Sequence, residues 1–175
     1  MVTAYIAFGS NLGDRNKNIE KAIEYLKELT GVTVQKVSSV YETDPVGGPV
    51  QGKFLNGALE IETALLPDEL LDRLKGIESR LGRTPQEENS PRPIDLDIIF
   101  YGDVVISGGR IKIPHPRMHE REFVLKGLIE IAPDFMHPRL NKTVRQLYDE
   151  LKGINEGNNS ARPDAAVQQS PEAAG

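Results

Sequence analysis

Apolar and polar positions alternate from the second residue on. Val2, Ala4, Ile6 and Phe8 stand against Thr3, Tyr5 and Ala7, and a period of two predicts a strand. The turn Gly9-Ser10-Asn11-Leu12-Gly13-Asp14 follows, with Asp14 suited to cap a helix. Ile19, Ala22, Ile23, Leu26 and Leu29 then recur at helical spacing, and Gly31 ends that helix. A second strand is predicted over 32–41. The stretch 44–52, with prolines at 45 and 49 and glycines at 47, 48 and 52, has to be a long loop. A third strand over 54–63 carries Leu55, Leu59 and Ile61 on one face and Phe54, Asn56, Glu60 and Glu62 on the other. Pro67 opens a second helix bearing Leu70, Leu71, Leu74, Ile77 and Leu81. An irregular stretch over 82–93 leads to a strand over 94–101. A hairpin-like region and two amphipathic helices, near 122–131 and 143–151, complete the ordered part.

The order β-α-β-β-α-β predicts an α+β fold of the ferredoxin-like sandwich type, an antiparallel sheet with helices. Helices are expected on one face, leaving the other face and the long loops for a site. A single domain is expected over 1–152. From Gly153 to Gly175 the chain is rich in Gly, Asn, Ser, Ala and Pro and is expected to be a disordered tail. Many activities share such a fold, so function has to come from side chains.

Composition narrows the classes. The formal net charge of -5 supplies no basic field for nucleic acid or an acidic membrane. With no cysteine there is no disulfide, thiol nucleophile or zinc finger. No leader and no apolar run near the ~20 residues of a membrane helix are recognisable, so a cytoplasmic protein is expected.

Candidate chemistry concentrates in Arg92-Pro93-Ile94-Asp95-Leu96-Asp97-Ile98-Ile99-Phe100. On a strand Asp95 and Asp97 share a face, ~6–7 Å apart, while Leu96, Ile98 and Phe100 are expected to point into the core. A carboxylate pair suits a hard cation that also takes phosphate oxygens. An isolated pair of this kind is more often a solvated strand face, but its surroundings are rich in cations: Arg83 and Arg92 before it, then Arg110, Arg117 and Arg121 with His115 and His119. Guanidinium groups match phosphate oxygens and the negative charge of a phosphoryl transition state. The glycine-rich phosphate loops and the kinase catalytic loop are absent. The residues by themselves therefore point to magnesium-dependent phosphoryl chemistry without naming a substrate.

Five collinear blocks go further. Ala4 to Asp14 (AYIAFGSNLGD), Ser38 to Thr43 (SSVYET), Phe54 to Ala58 (FLNGA), Pro91 to Ile98 (PRPIDLDI) and Ile113 to Val124 (IPHPRMHEREFV) resemble the 6-hydroxymethyl-7,8-dihydropterin pyrophosphokinase family over roughly 3–150. The resemblance implies transfer of pyrophosphate from ATP to the pterin alcohol, with release of AMP, in folate biosynthesis. It implies two Mg²⁺ ions held by Asp95 and Asp97, with Arg83 and Arg92 steadying the transferring group. It places Glu78, Arg92, Ile98, Arg110, His115 and Arg121 at ATP, and Thr43, Val46, Phe54, Asn56 and Phe123 at the pterin. Glu78 and Arg110 also read as ordinary surface charges, and Phe54 and Phe123 as packing residues. An amide on a strand, as at Asn56, is disfavoured by propensity and so points to a site.

The implied partners are two small molecules, with no nucleic acid, no membrane and a monomeric chain. The 84–91 loop departs from the family pattern. It reads Thr84-Pro85-Gln86-Glu87-Glu88-Asn89-Ser90-Pro91, with glutamates where the family commonly has arginines and a tryptophan, so closure over ATP would use other contacts. Asp44 stands where the family often has proline. Loops 44–52 and 82–91 are expected to be mobile and to close over the substrates. The rival reading is a regulatory module on the same fold that binds a nucleotide without consuming it; such a module has no need of both aspartates.

Overall fold

The computed structural model describes residues 1–85 and 89–160, the last seven of these in backbone only. Among the described residues the elements run β1 (Val2–Ser10), α1 (Arg15–Glu28), β2 (Val32–Val37), β3 (Tyr41–Thr43), β4 (Phe54–Thr63), α2 (Pro67–Arg80), β5 (Asp95–Tyr101), α3 (Glu122–Ile131) and α4 (Val144–Ser160). Asp14 caps α1 by accepting from the Lys17 amide at 3.1 Å. At α2, Pro67 sits in the first turn and Glu69 accepts from the Leu66 amide at 2.8 Å. Helix α4 continues to Ser160, past the start of the expected tail, and 161–175 lie outside the described residues. No helix among the described residues is long and apolar enough to cross a membrane.

All pairings are antiparallel, in the order β2-β4-β1-β5, with β3 alongside the start of β4. Helices α1 and α2 cover one face. Ile19, Leu26, Leu70, Leu74 and Ile77 meet Ile6, Phe8, Leu59, Ile61 and Leu96 there. The other face is not left open as the sequence suggests. Val124, Leu125 and Leu128 of α3 and Val144 and Leu147 of α4 pack on Tyr5, Ala58, Ile99 and Phe100, and the end where β1 finishes and β4 and β5 begin stays open to a cavity.

Two departures from simple alternation shape that end. The single strand expected over 32–41 is broken, because Ser38 uses its side chain on the ladder. Its amide donates to the Ala58 carbonyl at 2.9 Å and its Oγ accepts from the Ala58 amide at 2.8 Å. In β5, Tyr5 faces Phe100 while Ile6 faces Ile98, so Ile99 is an extra residue. This bulge corrects the expectation for Phe100. Its ring does not join Leu96 and Ile98 but lies in the second cluster, 4.6 Å from the Phe135 ring.

Candidate active site

A cavity of about 410 Å³ opens at the bare end of the sheet. The strands supply its floor in register: Gly9 of β1 lies between Asn56 of β4 and Asp95 of β5, and Ala7 lies between Ala58 and Asp97. Small residues on β1 are what leave the floor open. A Cβ on Gly9 would stand 2.7 Å from Asn56 Oδ1 and 3.4 Å from the Phe54 ring. Thr43, Val46, Phe54, Asn56 and Phe123 all line this one cavity, and so do Arg92, Asp95, Asp97 and Arg121. Phe123 reaches it from the first turn of α3. The Asn56 side chain is oriented by donating from Nδ2 to the Thr43 hydroxyl.

The acid pair is unequally paired with cations. Asp95 takes Arg83 at 2.8 Å on Oδ1 and Arg92 at 3.3 Å on Oδ2. The Asp97 side chain has no hydrogen bond or ion pair among the described residues, and burial first, then Asp95 and Glu78, hold its carboxyl well above the usual carboxylate range. Both offer hard oxygen donors, the chemistry Mg²⁺ takes. No group of three metal-ligating side chains meets among the described residues, so a cation here would draw further ligands from a substrate or water. The two aspartates fit that role.

The other expected ATP residues are dispersed. Glu78 is not a surface charge. It is buried behind the site, accepts from the Leu96 amide at 2.9 Å and pairs with Arg83 at 2.9 Å; burial raises its pKa first of all. Arg83 thus bridges Glu78 and Asp95 and lines an adjoining hollow with Arg92 and Asn89. Ile98 is packed in the core beneath the strand. His115 donates its amide to the Ile99 carbonyl at 3.0 Å, and burial, then Arg121, lowers its pKa to about 4. Arg110 lies against α2, bonded to Asp72 and 4.0 Å from Asp68, outside the residues that line the cavity.

Other residues contribute without any clear mark in the sequence. Asn11, buried at the end of β1, donates from Nδ2 to Gln51 Oε1 at 2.7 Å and to the Gly52 carbonyl at 3.2 Å, and accepts from the Arg92 amide on Oδ1 at 2.8 Å. Gln51 Nε2 in turn donates to the Asn89 carbonyl at 2.8 Å. One side chain thereby ties the two long loops to the floor. The only hint in the sequence is an amide directly after an apolar strand. Arg117, one of the cations singled out in the sequence, reaches the cavity as well, together with Glu120 and Glu122, which were not. The glutamates 87 and 88, with Gln86, lie outside the described residues, and so does that part of the expected mobile loop.

Comparison with known proteins places the chain in a family. Residues 5–133 match the family model for 7,8-dihydro-6-hydroxymethylpterin-pyrophosphokinase (HPPK). The chain is 51% identical to the 2-amino-4-hydroxy-6-hydroxymethyldihydropteridine pyrophosphokinase of Bacillus subtilis over 74% of this chain and 77% of that protein. For the enzyme of the same name in Aquifex aeolicus the identity is 42%, over 86% of this chain and 92% of the relative. The folic acid synthesis protein fol1 of Schizosaccharomyces pombe is 40% identical over 85% of this chain, which spans only 20% of that longer protein. Among solved structures, HPPK-DHPS in complex with substrates shares the fold with a TM-score of 0.68 at 15% identity, over 94% of this chain and 46% of that one. Plasmodium falciparum HPPK-DHPS with pteroate gives 0.71 at 17% identity, over 90% and 44%. The chain thus spans under half the length of those two structures.

Proposed function

We infer what this chain does from one premise: it belongs to the 7,8-dihydro-6-hydroxymethylpterin-pyrophosphokinase family. Its reaction is the transfer of pyrophosphate from ATP to 6-hydroxymethyl-7,8-dihydropterin, a step of folate biosynthesis. The hydroxymethyl oxygen bonds to the β-phosphorus, the bond from that phosphorus to the α,β-bridging oxygen breaks, AMP departs with that oxygen, and the hydroxyl proton passes to water. The observation that carries this reading is the row Asn56, Gly9, Asp95 across three neighbouring strands. Strand spacing sets the two ends of that row about 10 Å apart. A flat bicyclic ring can lie across the small residues with its edge at Asn56 and its alcohol toward the acid pair.

The side chains divide the work. Phe54 and Phe123 offer aromatic faces to the ring, the Asn56 amide both donates and accepts at its edge, and Thr43 fixes that amide. Val46 supplies apolar contact from the 44–52 loop. Arg92 and Arg121, which both line the cavity, present guanidinium groups to the triphosphate, and Arg83 steadies Asp95. His115, Glu78, Ile98 and Arg110 are assigned to the nucleotide region on the family pattern alone. Asp95 and Asp97 would hold two Mg²⁺ ions, which neutralise charge on the attacking and leaving oxygens when bound. Positioning and electrostatics supply most of the acceleration, and no covalent enzyme intermediate is needed.

We also read the sheet order, with β1 and β4 central and each α-helical crossover on one face, as ferredoxin-like. The chain is taken to work as a monomer in the cytoplasm on small molecules.

The test is AMP release from ATP and magnesium with and without 6-hydroxymethyl-7,8-dihydropterin. Pterin-dependent AMP, equimolar with pterin pyrophosphate, is the expected result. ADP, or nucleotide binding without turnover, would overturn the reading, and the second outcome would favour a nucleotide-sensing module.

A further inference from the structure

The aromatic wall of the cavity has to be held at one distance from the strand it faces. Phe123, Gly127 and Glu130 recur four and three residues apart, so they share one face of α3. Strand β3 lies near that face. Lys126 Nζ sits 4.5 Å over the Tyr41 ring. Glu130, at the far end of α3 from Phe123, accepts from the Ser39 amide at 2.9 Å, from Ser39 Oγ at 2.8 Å and from the Tyr41 hydroxyl. Three donors thus converge on one exposed carboxylate, and the hydrogen bond from Tyr41 foremost holds its pKa below the ordinary value.

Strand β3 has little else to fix it on this side. It is three residues long and pairs only with β4, Tyr41 against Asn56 and Thr43 against Phe54. Its ion pair among the described residues, Glu42 with Arg15 at 3.1 Å, leads to α1 and not to α3. Thr43, two residues beyond Tyr41, is the hydroxyl that orients Asn56. Beneath the same helix, Gly127 lets α3 settle on the sheet: a Cβ there would be 3.0 Å from both the amide nitrogen and the Cβ of Ala58.

We propose that Glu130 is a positioning residue for the pterin pocket, clasping β3 to α3 so that Thr43 and Asn56 on the sheet stay at a fixed distance from Phe123 on the helix. It touches neither substrate and acts through Ser39 and Tyr41. This inference rests on the reaction proposed above.

The experiment measures two affinities separately, by fluorescence titration with the stable 6-hydroxymethylpterin and with a nonhydrolysable ATP analogue. Loss of exposed hydrogen bonds in Glu130→Ala should weaken pterin binding roughly three- to tenfold, with the ATP-analogue affinity and the circular dichroism spectrum unchanged. Glu130→Gln, which keeps an acceptor for Ser39, should recover most of the loss. Tyr41→Phe should weaken pterin binding in the same sense, and the pair Tyr41→Phe with Glu130→Ala should cost less than the sum of the two. Unchanged pterin affinity in Glu130→Ala, or an equal loss for both ligands, overturns the proposal. Absence of pterin binding by the unsubstituted protein is a different failure, that of the reaction itself.

Discussion

The carboxyl of Asp97 is half-buried at the cavity floor beside Asp95 and Glu78, so its ionised form costs folding free energy. A raised pKa in the folded state means that the protonated acid stabilises the metal-free fold, and that this contribution is lost as pH rises through the folded value. Removing the charge should therefore spare the fold and end the chemistry. Asp97→Asn is expected to lower turnover at least about a hundredfold, while its thermal midpoint at pH 8 stays at or above that of the parent. Near-parent turnover in AMP-release assays would exclude the two-carboxylate scheme. The pair was legible in the sequence because strand parity alone puts positions 95 and 97 on one face. Gly9 and Asn11 were not, since their importance depends on which strands and loops come to lie beside them. Glu78 reads as a surface charge on its helix, and only the fold reveals that it lies under Leu96.

The elements were found by hydrophobic period, and their interruptions were not, because a period carries no record of a side chain that takes a place on the ladder. Ser38 does so between β2 and β3, and it stands beside a second constraint in β4. A Cβ on Gly57 would come within 2.3 Å of Phe8 Cζ and 2.9 Å of Ser38 Oγ. Phe8 is buried in the core and has little room to retreat. Gly57→Ala is thus expected to destabilise the protein by about 1–3 kcal/mol, seen as a lower urea midpoint with an unchanged slope. A midpoint within error of the parent would mean that β1 and β4 separate more easily than their packing suggests.

Across the whole molecule, helices pack on both sides of the sheet, and two histidines are held among them. His115 is lowered to about 4 by burial and then by Arg121, and His137 is lowered as well, again by burial first. A depressed histidine is neutral in the fold while the unfolded chain takes up a proton near pH 6.5. Its contribution is therefore complete above that pH and is lost as pH falls toward 4. Asp97 gains stability as pH falls over the same range, so the histidine effect is read as a difference: in urea unfolding at stepped pH, His115→Gln should lose less stability than the parent between about pH 6.5 and 4.5, with His137 keeping its own share. An identical slope in the variant would place His115 in contact with water. The general plan, an antiparallel sheet with helices, was visible from the pattern of elements. The second layer of helices was not, because the parity of β5 changes in mid-strand. That change has a consequence for how the strand can vary. One extra residue at Ile99 lets a single strand serve two masters, acids toward the cavity before it and Phe100 toward the aromatic cluster after it. Its spelling can drift while its length cannot, since deleting one letter would turn every side chain on one side of the gap to the wrong face.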